Sequence, residues 1–155
     1  MKVGRGYVTV ITKANKQVKN PMDKVLRILV VDDQRRTRQS LTALLATQFQ
    51  QIEVREAENG VEAIRCAEKW NPDLVLMDAR MPALDGVTAT RVLKRQAPQV
   101  KVVILSMYPE YLAAALAAGA DAFIGKGEPP EHLLAALVAA ASSTGEQEVD
   151  DEQTL

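Results

Sequence analysis

Short apolar, β-branched runs alternate along this chain with longer stretches in which apolar positions recur every three or four residues. Arg27-Ile28-Leu29-Val30-Val31 is the first run, and it stops at Asp32-Asp33. Over 34–49, Leu41, Leu44, Leu45 and Gln48 fall at helical spacing, which predicts a helix with one apolar stripe. Residues 52–57 read as a shorter strand. Asn59-Gly60 signals a turn, and Val61, Ile64, Ala67 and Glu68 begin a second helix that Asn71-Pro72 ends.

The same alternation continues. Residues 74–77 form an apolar run that ends at Asp78, and 86–96 is helical, with Val87, Thr90 and Leu93-Lys94 at the expected offsets. Residues 102–105 read as a strand ending at Ser106. An alanine-rich helix over 109–118 follows, with Gly119 placed as its C-terminal cap. Residues 122–125 form a strand ending at Lys126, and Pro129-Pro130 starts a last helix that runs to about residue 141.

Five strand–helix units therefore fill residues 25–141. Strands that are apolar throughout, each followed by a helix, predict a parallel sheet covered on both faces with right-handed crossovers. An open doubly wound α/β sandwich fits this count, because a closed eightfold barrel needs about twice the chain.

The polar residues fall at informative places. Asp32 and Asp33, Asp78, Ser106 and Lys126 each stand at the carboxyl end of a predicted strand. In open parallel sheets ligands bind in the crevice outside those ends. Three carboxylates gathered there repel one another unless a cation is present, and Lys126 supplies a single positive charge. The residual negative charge suits a hard divalent cation with oxygen ligands, above all Mg²⁺. A carboxylate can also act as a nucleophile towards phosphoryl groups, and that transfer needs positioning and charge neutralisation more than covalent machinery.

Composition and charge narrow the classes. At 155 residues, with 47% hydrophobic and 25% charged content, the chain is sized for one globular domain. The charge-free run over 132–145 ends in Ser-Ser-Thr-Gly and is no membrane span, and no signal peptide is evident, so the expected location is cytoplasmic. Cys66 is the only cysteine, which leaves no disulfide framework and no thiolate metal site. Residues 1–21 carry Lys2, Arg5, Lys13, Lys16 and Lys19 without an acid, whereas 142–155 carry Glu146, Glu148, Asp150, Asp151 and Glu152 without a base. The domain reading is a basic flexible extension over 1–24, the folded domain over 25–141 and an acidic flexible tail over 142–155. Met22 offers an alternative start. No basic stripe continues into the domain, so no direct nucleic-acid contact is expected of this chain.

The ordered motifs carry a resemblance. Ile28-Leu29-Val30-Val31-Asp32-Asp33, then Asp73-Leu74-Val75-Leu76-Met77-Asp78 with Met81-Pro82-Ala83-Leu84-Asp85-Gly86, resemble bacterial response-regulator receiver domains. Ile104-Leu105-Ser106 and Gly119-Ala120-Asp121-Ala122-Phe123-Ile124-Gly125-Lys126 complete the family's set in its order, over roughly residues 25–141. The resemblance implies a flavodoxin-like doubly wound (βα)5 sheet with strand order 2-1-3-4-5. It implies that Asp78 accepts a phosphoryl group from a histidine kinase or phosphotransfer protein, with no separate substrate. It further implies that Asp33 and Asp78 bind Mg²⁺ directly, with the backbone carbonyl of Arg80, and that Asp32 acts through metal-bound water. Ser106 and Lys126 would contact the phosphoryl group, and Ser106 with Phe123 would form the switch. Gly127 stands where the family commonly has proline, and the wording from Gly119 to Lys126 is most similar to receivers of helix-turn-helix transcription factors.

Two departures bear on the switch. The stretch from Ser106 to Lys126 is about two residues shorter than the family's, in the loop before the fourth helix, and Met107 is bulky where a small residue is usual. Arg80 and Tyr108 lie where members vary and tune phosphoryl lifetime.

Plainer readings stand beside these. Asp32 and Asp33 are also good helix caps, and Asp85-Gly86 reads as a turn into the third helix without a chemical role. Trp70 reads as a packing anchor and Cys66 as core, while nothing near His132 indicates phosphotransfer. The fourth and fifth helices carry long uncharged stretches, which fits either alanine's tolerance of solvent or an effector or homodimer surface. A haloacid dehalogenase-type hydrolase is disfavoured because Arg80, not an acid, lies two residues after Asp78. Two alternatives remain: the receiver portion of a DNA-binding regulator that continues beyond this chain, and a degenerate receiver that signals without phosphate.

Overall fold

The computed structural model describes residues 7–8 and 24–143. A six-stranded sheet is built from β1 (Tyr7–Val8), β2 (Leu26–Val31), β3 (Ile52–Ala57), β4 (Leu74–Asp78), β5 (Lys101–Ser106) and β6 (Ala122–Gly125). Between them lie α1 (Arg35–Gln48), α2 (Gly60–Trp70), α3 (Gly86–Gln96) and α4 (Leu112–Ala117), and α5 (Pro130–Ser143) closes the chain. The strand order is β1-β3-β2-β4-β5-β6, and every neighbour pair from β3 to β6 is parallel. Counting the five parallel strands alone in chain order gives 2-1-3-4-5, as the resemblance implies.

The alternation of side chains along each strand divides the core into two layers. On β2, Leu29 and Val31 join a cluster with Ala63, Val87, Leu93 and Ala115, beneath α2, α3 and α4. Ile28 and Val30 point the other way, to Leu45, Leu133 and Leu137 beneath α1 and α5. A strand buried on both faces must be apolar at every position, which is why these runs do not alternate with polar residues.

The helices differ in detail from the periodicity. The buried positions of α1 are Arg38, Thr42 and Leu45, while Gln48 is exposed and Leu41 and Leu44 are half-buried. A guanidinium occupies part of the face that the apolar count assigned to carbon. The region over 109–118 begins as a 3₁₀ turn (Pro109–Tyr111) before α4. Gly119 closes α4 as expected, at φ +100°, where an L side chain would be strained. Trp70 is buried, flanked by Arg55 and Arg27 with their guanidinium carbons 4.7 Å and 5.9 Å from its ring.

β1 pairs antiparallel with β3, Tyr7 opposite Arg55 and Val8 opposite Val54. The expectation for the rest of 1–24 lies outside the described residues, apart from Lys24 itself. At the other end α5 runs to Ser143, two residues past the expected boundary, and 144–155 lie outside the described residues.

Candidate functional site

The carboxyl edge of the sheet brings the predicted residues together. Asp78 is the last residue of β4 and Ser106 the last of β5. Asp32 and Asp33 follow β2, and Lys126 follows β6. Parallel register places these ends side by side: Asp78 pairs with Leu105, and Ser106 with Gly125.

Asp32 is 1% exposed, yet all its polar atoms are engaged. Its Oδ1 accepts from the backbone N–H of Gln34 at 2.8 Å and its Oδ2 from Lys126 Nζ at 2.9 Å. The helix-cap reading is thereby corrected. Gln34 is the N-cap of α1, and Asp32 turns its carboxylate back onto the loop ahead of the helix.

Asp78 is buried as well, with Oδ2 3.4 Å from Lys126 Nζ. Among the described residues its Oδ1 has only a long approach, 3.5 Å, from the Arg80 N–H. Burial pushes the Asp78 carboxyl above the usual range; Lys126 pulls it down and Asp32 pushes it up, and the net direction is upward. For Lys126, burial works against the ammonium, but its hydrogen bond to Asp32 and the charges of Asp78 and Asp32 outweigh it and raise the pKa.

Asp33 completes the cluster from the exposed side. Asp32, Asp33 and Asp78 each offer an oxygen, and the three atoms lie within 4.8 Å of one another. Against these three carboxylates stands one ammonium, a donor set that suits a hard divalent cation. An open pocket of about 490 Å³ lies over the cluster, lined by Asp33, Asp78 and Lys126 together with Arg80, Met107 and Tyr108.

Ser106 is buried, and its hydroxyl is committed to its own loop. Oγ accepts from the Tyr108 N–H at 3.0 Å and lies 3.4 Å from the Tyr108 carbonyl. The Arg80 guanidinium stands 5.2 Å from the Tyr108 ring centre. Phe123, on β6, is half-buried and packs against the core layer beneath α2, α3 and α4. Met107 is 63% exposed and lines the pocket over the cluster.

Several supporting contacts were not legible from the motifs. Gly86 N–H donates to the Ala79 carbonyl, and a Cβ at Gly86 would stand 1.9 Å from the carbonyl oxygen of Asp78. The Asp85-Gly86 turn is therefore packed directly on the backbone of the acidic site. Gly60 N–H donates to the Leu84 carbonyl and ties the same loop to α2. Glu128 accepts from the Gly125 N–H at 2.9 Å and braces the strand end before Lys126. His132 is exposed, 3.8 Å from Glu128 and remote in role from the cluster.

An open parallel sheet with this acidic cluster, hydroxyl and ammonium at one edge defines a signalling receiver module. The chain belongs to the response regulator receiver domain family, which matches residues 28–138, and it is a receiver domain of two-component signalling. It is 39% identical over 111 residues to an uncharacterized transcriptional regulatory protein, YhcZ of Bacillus subtilis (strain 168), covering 70% of this chain and 52% of that protein. It is 34% identical over 114 residues to the transcriptional regulatory protein DegU of Brevibacillus brevis, covering 72% and 48%. A CheY-like response regulator receiver domain protein from Methanospirillum hungatei JF-1 superposes with a TM-score of 0.71 at 26% identity, over 79% of this chain and 98% of that one. The chain spans about half the length of the curated relatives it matches. Among the described residues no helix is long and apolar enough to cross a membrane.

Proposed function

We propose that Asp78 accepts a phosphoryl group from the phosphohistidine of a histidine kinase or phosphotransfer protein, and that the product changes the surface offered to partners. One observation carries this reading: Asp78 is a buried carboxylate that opens on a pocket with an ammonium 3.4 Å away. In the transfer, an Asp78 oxygen forms the O–P bond as the donor's N–P bond breaks, and the leaving imidazole nitrogen takes a proton. Lys126 then pairs with a phosphoryl oxygen, and Ser106 donates its hydroxyl to the same group once it leaves Tyr108. Phe123 turns inward as Ser106 moves.

Mg²⁺ fits the donor set. Asp33, Asp78 and the Arg80 carbonyl would hold it, with Asp32 reaching it through water. When bound, it neutralises charge on the phosphoryl oxygens. On this reading the chain acts on no separate substrate; the chemistry is its own phosphorylation and dephosphorylation in the cytoplasm. The output runs through protein contacts of α4 and α5, as an effector or homodimer surface, without direct nucleic-acid contact by this chain.

Incubation with a small phosphodonor and Mg²⁺, followed by intact mass, tests the proposal. The expected result is a gain of one phosphoryl that Asp78→Asn abolishes. No gain with any of several donors would favour a receiver that signals without phosphate. A second reading has its own support, since the matched relatives are transcriptional regulatory proteins about twice as long. Here the chain is the receiver portion of such a regulator, and the length of the native open reading frame tests it.

A further inference from the structure

We infer that Arg38 is a positioning residue for the divalent-cation site, holding the Asp32–Asp33 peptide from inside the protein. The inference rests on the reading of the acidic cluster as that site. Arg38 lies on α1, four residues into the helix, and its side chain is 9% exposed. Burying a guanidinium is costly unless its donors are satisfied. Here Nη1 donates to the Asp32 carbonyl at 2.8 Å and Nε donates to Glu56 on β3 at 3.0 Å. The remaining nitrogen, Nη2, stands 3.9 Å from the exposed Glu58.

The Asp32 carbonyl belongs to the peptide unit that joins Asp32 to Asp33. A planar peptide fixed at its oxygen also fixes the direction in which the next Cα leaves. Asp32 has three further anchors: its N–H donates to the Ala57 carbonyl, and its two carboxylate oxygens are taken by Gln34 and Lys126. The exposed Asp33 carboxylate has no hydrogen bond or ion pair among the described residues. Its aim into the cluster is therefore set by the main chain, and Arg38 is the group that holds that main chain from the core side. Glu56 in turn orients Arg38 from a strand whose register with β2 is fixed, Glu56 opposite Val30. The geometry thus makes a relay from β3 through α1 to the metal-facing loop.

Titration of the full chain with Mn²⁺, read by electron paramagnetic resonance, tests this directly. Three proteins are compared: wild type, Arg38→Met and Arg38→Met/Glu56→Leu. The double variant leaves neither partner of the buried pair uncompensated, so it keeps the fold if the single variant does not; thermal unfolding monitors this. Both Arg38 variants are expected to bind Mn²⁺ roughly tenfold more weakly, the usual effect of removing an outer contact that orients a ligand. Arg38→Lys, which keeps one donor, should recover part of the loss. Phosphoryl labelling of the variants should be slow at low Mg²⁺ and return to the wild-type rate at saturating Mg²⁺, which a general loss of structure would not produce. A folded double variant with wild-type Mn²⁺ affinity, set against a loss of affinity in Asp33→Asn, overturns the role of Arg38 alone. A wild type that binds no Mn²⁺ removes the metal reading and this inference with it.

Discussion

Lys126 Nζ hydrogen-bonds Asp32 at 2.9 Å, closer than its 3.4 Å approach to Asp78, although Asp78 is the carboxylate proposed to react. The ammonium thus rests on Asp32 and within reach of Asp78, so a phosphoryl group on Asp78 would draw it across with little motion. Lys126→Met removes the one positive side chain in the cluster. Labelling of Asp78 is expected to slow roughly 100-fold, in the range for deleting a group aimed at developing charge. The same change leaves the buried Asp32 carboxylate with only the Gln34 N–H, and breaking fully buried pairs costs roughly 3–5 kcal/mol. Lys126 is 24% exposed, so a smaller loss, about 2 kcal/mol, is expected from denaturant unfolding.

Asp78 should weaken the fold that carries it. Burial raises its pKa, so between the unfolded value of about 3.8 and the higher folded value the native state holds a proton that the unfolded state has released. Stability from this group therefore falls as pH rises through that window, and at neutral pH its ionised form carries the cost. Asp78→Asn is expected to raise the neutral-pH stability by about 1 kcal/mol, with Lys126 still held by Asp32. The gain should shrink as pH falls from the raised folded pKa towards the ordinary aspartate value and be lost below it, because native wild-type Asp78 is protonated through that window. Thermal unfolding of both proteins across pH checks this; a destabilised Asn variant at neutral pH would contradict it.

The strands and their polar ends were legible because a doubly buried parallel strand must be apolar, which makes Asp78, Ser106 and Lys126 conspicuous where the runs stop. The strand order came through the family resemblance, not from periodicity. What stayed hidden was side-chain traffic between elements. Arg38 sits at the helical offset of Leu41 and Leu45, but an arginine on an apolar stripe reads as an interruption until Glu56 and the Asp32 carbonyl are seen beside it. The hydroxyl of Ser106 was legible as a candidate, but its bond to Tyr108 was not, because that depends on how the short loop turns. Gly86 looked like turn chemistry and proved to be a steric requirement.

Gly86→Ala tests that requirement. The added carbon would stand 1.9 Å from the Asp78 carbonyl oxygen and 2.8 Å from Met77 Cγ, so α3 or the end of β4 must shift. Overpacking of this kind costs roughly 1–3 kcal/mol, and here it also moves the backbone of the proposed acceptor. Both a loss of stability near the upper end of that range and slower labelling are expected. Gly127→Ala is the control, since nothing lies within 4 Å of a Cβ there. It should leave denaturant midpoints unchanged.

The outer faces of α4 and α5 expose Leu112, Leu116 and Val138 in stretches without charge. If these helices form a homodimer surface, sedimentation should show a shift to dimer when a phosphoryl mimic is added. Leu116→Glu should abolish the shift without altering labelling of Asp78. A monomer in both states would exclude the homodimer and leave an effector as the partner.

Arg80 and Tyr108 are expected to set how long a phosphoryl group on Asp78 survives. The guanidinium lies 5.2 Å from the Tyr108 ring, and both side chains line the pocket over Asp78. Tyr108 also donates its N–H to the Ser106 hydroxyl at 3.0 Å, so the same loop positions Ser106. If this pair covers the pocket, it would restrict the approach of water to an acyl phosphate on Asp78, and the strength of such a pair at an exposed site is roughly 0.5–1 kcal/mol. Removing either partner opens the mouth, and that energy corresponds to roughly two- to fivefold faster loss of phosphoryl label in Arg80→Ala and in Tyr108→Ala. Because both substitutions break one contact, the double variant should decay little faster than either single one. Timing the loss of label in the four proteins decides it. Unchanged decay counts against the pair as a barrier, and effects that multiply show that the two residues act separately.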